Sequence, residues 1–251
     1  MTTEVSRGLR VSGLFKSYGK VAVLRGLDLS IPAGSITCLL GRNGAGKTTA
    51  MSCILGLREC DAGVVLLDGI RLRRDDAEMH SFGYMPEEPA LYEHLTGQEF
   101  LEFIGALYRV DQKRFAWIDE QFAALDLLES RDRLIREYSL GMKRKISFLA
   151  ATIHDPKVLV LDEPMGGLDA PSARVLKDQL EIAKSRGRTV LFSTHVMELA
   201  ERMADQVAIL SAGRIVLAGS PTELLVGAGS RTLEDIFLEA TVPRAPESPA
   251  R

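Results

Sequence analysis

"SITCLLGRNGAGKTT", residues 35–49, runs from a short apolar stretch through a glycine-rich turn into helix-forming residues. Six residues without a net charge read as a buried strand, and the text after Gly46 reads as the start of a helix. Between them, Gly41 to Thr48 fits GxxxxGK[ST] in the strand-turn-helix context that this motif needs. The residue types explain the chemistry. Successive backbone N–H groups of Gly44, Gly46 and Lys47 can wrap a β-phosphate, and glycine is required where a side chain would block the approach. Lys47 can reach β/γ oxygens and Thr48 can hold Mg2+, while Arg42, Asn43, Ala45 and Thr49 complete the turn. With glycine at about 7% of residues on average, four such constrained positions recur by accident in roughly one chain in a hundred of this length.

Working outward, "VVLLDG" (64–69), "KVLVLDEP" (157–164) and "RTVLFSTH" (188–195) are further short apolar strands, with helices separating the last two. They predict an α/β chain with a parallel sheet. Ahead of them, residues 9–31 read as short alternating strands punctuated by "SYGK" and "IPAG", which predicts an antiparallel β-subdomain. Residues 95–137 read as wholly helical, opening on the capping box Thr96 to Glu99 in "TGQE". This is an inserted α-helical subdomain. "APSARVLKDQLEIAKSRG" (170–187) carries Pro171 in its first turn and Gly187 as its stop. "QVAILSAGRIVLAG" (206–219) reads as a hairpin, and Ser220 with Glu223 opens a further helix.

Bulk properties bound the function. The 251 residues are 46% hydrophobic with a net charge of −3, which fits one large domain and gives no basic field to recruit nucleic acid. Cys38, Cys53 and Cys60 show no CxxC spacing, so neither a disulfide framework nor a zinc site is expected, and a reducing cytoplasm fits best. "MTTEVSRGLR" lacks the apolar core of a signal peptide and no window approaches 18 apolar residues. A membrane role would come through a partner.

Four further places carry chemistry. Asp162 and Glu163 end an apolar strand at the edge where open α/β sheets bind ligands; Asp162 suits the Mg2+ shell and Glu163 suits a base for attacking water. His195 ends "TVLFSTH" at the same edge. Tyr18, in "SYGK", offers a ring for an adenine base, or simply for packing. "REYSLGMKRKIS" (136–147) predicts a helix from Leu140 with Ser139 as its N-cap. Its first-turn cations Lys143, Arg144 and Lys145 oppose the helix dipole, so they read either as a solvated face or as a surface that awaits an anion.

The order of these motifs resembles the ATP-binding subunits of ABC transporters, over about residues 8–240, with the helical subdomain at 95–150. The remaining 241–251 is a Pro-rich tail expected to be disordered. The resemblance implies a P-loop NTPase core, ATP and Mg2+ as cofactors, and ATP hydrolysis. It implies Tyr18 as the adenine-stacking aromatic and Asp162 and Glu163 as the Mg2+ aspartate and the base. "YSLGM", with Ser139, Leu140, Gly141 and Met142, becomes the signature that faces the γ-phosphate of an opposing subunit. Asp169 in "GGLD" becomes the loop that faces that subunit, and His195 the γ-phosphate switch. Partners would be a second ATPase chain, identical or paired, and integral membrane permease subunits, placing the chain on the inner face of the cell membrane. Two departures stand out. Glu87 sits where the family has a metal-binding glutamine, and Leu140 and Met142 replace a signature glycine and glutamine. "YS.GMK", Glu at that position and a terminal "LED.FLE", seen here in "TLEDIFLEAT" (232–241), are similar to an exporter branch with separate ATPase and membrane subunits. A soluble ATPase of this type in repair or translation would carry a long coiled-coil insertion or two cassettes. A regulatory clamp with little turnover would not need Glu163.

Overall fold

The computed structural model describes residues 7–74, 76–111, 113–226 and 232–242. The chain begins with β1 (Gly8–Tyr18), β2 (Val21–Pro32) and β3 (Ile36–Leu40), then α1 (Lys47–Ile54), β4 (Ala62–Leu67), β5 (Ile70–Arg71) and β6 (Phe82–Met85). Three helices follow, α2 (Gly97–Leu107), α3 (Lys113–Ala124) and α4 (Leu140–Thr152), then β7 (Val158–Leu161), α5 (Ala170–Ser185) and β8 (Thr189–Thr194). The last elements are α6 (Met197–Met203), β9 (Gln206–Ser211), β10 (Arg214–Gly219), α7 (Pro221–Leu225) and α8 (Leu233–Thr241).

Two sheets carry the molecule. The larger runs β10-β9-β3-β8-β7-β6, with every pairing parallel except the β9–β10 hairpin. Every residue of β3, β7 and β8 is buried, as a parallel sheet covered on both faces requires. The pleat divides their side chains between two cores: Ile36, Cys38, Leu40, Leu159 and Leu161 join α2, α4 and α5 on one face, while Leu39, Val158 and Val160 join α1 and the second sheet on the other. That second sheet is antiparallel, in the order β2-β1-β4-β5.

Three expectations need correction. "VVLLDG" is not in the parallel sheet; as β4 it pairs antiparallel with β1, and its burial alternates as in a sheet with one wet face. "FGYM" forms β6, an edge strand paired with β7 that the sequence did not announce. Gly83 permits it, because a Cβ there would strike the Ala151 carbonyl of α4. Residues 95–137 are not wholly helical either. The left-handed residues Arg109 (φ 54°) and Asp126 (φ 53°) follow α2 and α3, and the chain then returns in short 3₁₀ turns. A bridge between Thr96 and Leu134, and Ile135 N–H donating to Leu95 O at 2.9 Å, tie that return to the start of α2.

The predicted caps are formed at Thr96/Glu99, Ser139, Ser220/Glu223 and, in addition, Asp169 and Thr232/Asp235. Helix α8 extends to Thr241, one residue into the expected tail, and residues 243–251 lie outside those described.

Candidate nucleotide site

The phosphate loop leaves β3 at the carboxyl edge of the parallel sheet, and Gly41 N–H donates to Thr194 O at 3.3 Å, tying the loop to β8. Gly44 (φ 80°) and Gly46 (φ 106°) take left-handed conformations, and the space in front of Gly44 is open for 4 Å. Gly46 caps α1, so the first amides of that helix point into a cleft of about 390 Å3. Val23, Arg42, Asn43, Gly44, Gly46, Lys47, Thr48, Thr49, Glu87 and Glu163 line it, and Ala45 lines the adjoining hollow.

Lys47 is 7% exposed and donates from Nζ to Gly41 O at 2.9 Å. The same Nζ lies 3.4 Å from Glu163 Oε1, and His195 Nδ1 lies 2.9 Å from that oxygen on the other side. Thr48 Oγ1 donates to Asp162 Oδ2 at 2.6 Å, while Ser193 Oγ donates to Asp162 Oδ1 at 2.5 Å and accepts the Glu163 N–H at 3.0 Å. Asp162 is 1% exposed, yet both carboxylate oxygens are hydrogen-bonded, which is how a buried carboxylate is tolerated. The acidic edge is felt nearby. Burial, reinforced by Asp162 and Glu87, pushes the Tyr84 phenol up to about 12, and burial beside Glu163 raises the Cys38 thiol well above its ordinary value. Neither group ionises near neutral pH.

The loop residues, Glu87, Asp162, Glu163 and His195 are thus brought together as the sequence predicts. Tyr18 is not among the residues that line the cleft; it is 40% exposed at the β1–β2 turn, with Lys16 Nζ and Arg58 Cζ 5.5 and 5.6 Å from its ring centroid. Ser139, Leu140, Gly141 and Met142 also lie outside their own chain's cleft, at the exposed start of α4, where Ser139 Oγ accepts Met142 N–H at 3.2 Å. Asp169 is exposed and caps α5, and its bond from Ser172 holds its carboxyl below the usual range. The basic first turn needs correction. Lys143 pairs with Glu93 at 2.5 Å, and Arg144 is 8% exposed and donates to Glu163 O at 2.7 Å, so neither is a bare cation awaiting an anion. Sequence reasoning missed Arg144, Ser193 and Val23. Of these only Ser193 left a sign, as a hydroxyl in the wholly buried strand "TVLFST".

Fold and site together define a P-loop ATPase whose sheet is extended by an antiparallel layer and a helical insertion. Residues 24–166 match the family model described as "ABC transporter". A fluoroquinolones export ATP-binding protein of Mycobacterium tuberculosis is 37% identical over 234 residues, covering 91% of this chain and 75% of the relative. The lantibiotic transport ATP-binding protein SrtF of Streptococcus pyogenes is 31% identical over 229 residues, covering 91% and 95%. A solved structure titled as the ATP binding subunit of an ABC transporter superposes with a TM-score of 0.86 at 30% identity, covering 92% of this chain and 98% of the other. The chain belongs to the ABC transporter family, as an ATP-binding and ATP-hydrolysing subunit. Among the described residues no helix is long and apolar enough to cross a membrane.

Proposed function

We propose that this chain powers an exporter as one half of a head-to-tail ATPase pair, with Glu163 as general base. The observation that carries the reading is a single carboxylate oxygen, Glu163 Oε1, held between Lys47 Nζ at 3.4 Å and His195 Nδ1 at 2.9 Å beside the phosphate loop. In this arrangement Lys47 neutralises the base. A triphosphate offers that ammonium more negative charge, so Lys47 turns to the β/γ oxygens and releases Glu163 to take the proton from water attacking the γ-phosphorus. His195 meets the base through Nδ1 and, at the same strand end, suits the switch that contacts the γ-phosphate.

Mg2+ fits the residues present. The Thr48 hydroxyl and the Asp162 carboxylate already converge at 2.6 Å, they are hard oxygen donors, and Glu87 lines the same cleft. Thr48 and Asp162 would hold the ion, with Glu87 as a further donor. When bound, it supplies neutralising charge for the phosphates. Ser139, exposed, and Gly141, half-buried, stand at the start of α4 outside their own cleft and suit contact with nucleotide held by a second chain, and Asp169 suits the same interface. Tyr18, outside the phosphate cleft and partly exposed, suits the adenine base. One relative is named for export, which supports the outward direction. Attachment to the inner membrane face would come through permease subunits.

A groove of about 570 Å3 offers the contact for those subunits. Leu55, Leu57, Met79, Tyr84, Leu91, Phe100 and Ile104 line it between the core and the helical insertion. Leu91 is half-buried against the core, while Tyr92 is 57% exposed, its ring edge-on to Phe103 at 5.3 Å. Leu91→Asp combined with Tyr92→Ser is expected to keep turnover of the isolated chain within about twofold, since neither residue reaches the phosphate cleft, and to abolish co-purification with membranes. A variant that still partitions with membranes and supports transport would exclude the groove as the coupling surface.

A further inference from the structure

We infer that Arg144 is a positioning residue for hydrolysis, a clamp that fixes the backbone of Glu163. The inference rests on the reading of Glu163 as the base. Glu163 is the second of the two acidic residues that directly follow β7 and takes φ 46°, the left-handed region that a residue with a Cβ leaves unless it is held. It is held at both ends of its own backbone. Its N–H donates to Ser193 Oγ at 3.0 Å, and its C=O accepts from Arg144 Nη1 at 2.7 Å and from Gly166 N–H at 3.1 Å.

Arg144 is an expensive choice for that task. Its side chain is buried, its Nε has no hydrogen-bond partner, and among the described residues no carboxylate pairs with it. A buried guanidinium without a counter-charge weakens a fold compared with an apolar side chain of similar volume, so stability does not explain it. Its surroundings do connect it to catalysis. A Cβ on Gly166 would lie 3.3 Å from Arg144 Nη2, so the "GGLD" loop packs directly on the guanidinium, and Leu140, one turn earlier on the same face of α4, packs on Gly167. Arg144 therefore joins three things in one chain: the helix that begins at Ser139, the loop that ends at Asp169, and the carbonyl of the base. Arg144 does not line the phosphate cleft, so its loss moves the base without removing a phosphate contact.

The test is steady-state ATP turnover and fluorescent ATP-analogue binding for Arg144→Met, which keeps the packing volume and removes the donors, beside Arg144→Lys, which restores one donor. Misplacing a catalytic group by about 1 Å can cost about a hundredfold in rate, so Arg144→Met is expected to lower kcat by about tenfold or more. KM and nucleotide affinity stay within about threefold, and Arg144→Lys recovers part of the loss. Arg144→Gln, which is shorter and uncharged and keeps an N–H donor, should lose less than Arg144→Met and gives a second folded variant if Arg144→Met does not fold. A kcat within twofold of the wild type for the folded variants, while Glu163→Gln is inactive, overturns the clamp and leaves the base in place. Equal losses in kcat and affinity with no rescue by lysine make Arg144 a structural residue only. Full turnover by Glu163→Gln instead removes the base, and with it the premise.

Discussion

Glu163→Gln is expected to lower ATP turnover by about a hundredfold or more while leaving ATP bound as well as in the wild type, or better. The amide keeps the size of the side chain and can still meet His195 Nδ1, now 2.9 Å from Oε1, but it cannot take a proton from water. It also removes the negative charge 3.4 Å from Lys47 Nζ, so the ammonium no longer leaves a partner when phosphates arrive. Lys47→Ala behaves differently. It withdraws a cation from the phosphates and leaves Glu163, 7% exposed, without its neutralising neighbour, so affinity and rate fall together. Turnover and nucleotide binding measured on both variants separate the roles. Normal turnover by Glu163→Gln would take the base elsewhere.

Ser139→Arg, placed in the Glu163→Gln background, is expected to abolish the dimer that unhydrolysed ATP holds together. Ser139 is exposed, caps α4 through Met142 N–H at 3.2 Å and takes no part in its own chain's cleft. The substitution removes a cap worth about 1 kcal/mol and sets a bulky side chain where an opposing γ-phosphate has to approach. The fold is otherwise untouched, so monomer affinity for ATP should stay within about threefold, a difference below about 0.7 kcal/mol. Size-exclusion with light scattering reads the dimer directly. Weakening of monomer binding equal to that of Lys47→Ala would place the signature inside its own subunit.

Much of this site was legible because its residues act through local backbone geometry. The glycines of residues 41–46, the strand ends at Asp162 and His195 and the cap at Ser139 need only their neighbours in sequence, and the structure forms each of them. What failed depended on distant partners. "VVLLDG" reads as one more doubly buried strand, yet pairing with β1 leaves one face wet, which an unbroken apolar run does not reveal. "FGYM", with glycine inside and proline after, has the composition of a loop and becomes a strand only because α4 packs over Gly83. The helical insertion is interrupted at Arg109 and Asp126, neither of them a residue that announces a stop. Arg144 was the deepest omission. As one of three cations in a row it looks like a solvated face, and only the position of β7 turns it inward onto the carbonyl of Glu163.

The head-to-tail arrangement is tested most directly by mixing two inactive chains, Lys47→Ala and Ser139→Arg, and measuring ATP turnover against each alone. If the phosphate loop of one subunit works with the signature of the other, a mixed pair holds one site in which both are intact. The mixed pair is the one combination that keeps an intact site, so turnover should rise well above that of either chain alone, to about a quarter of the wild-type rate if the chains pair at random. A mixture no faster than the average of its two components would contradict a site shared between subunits.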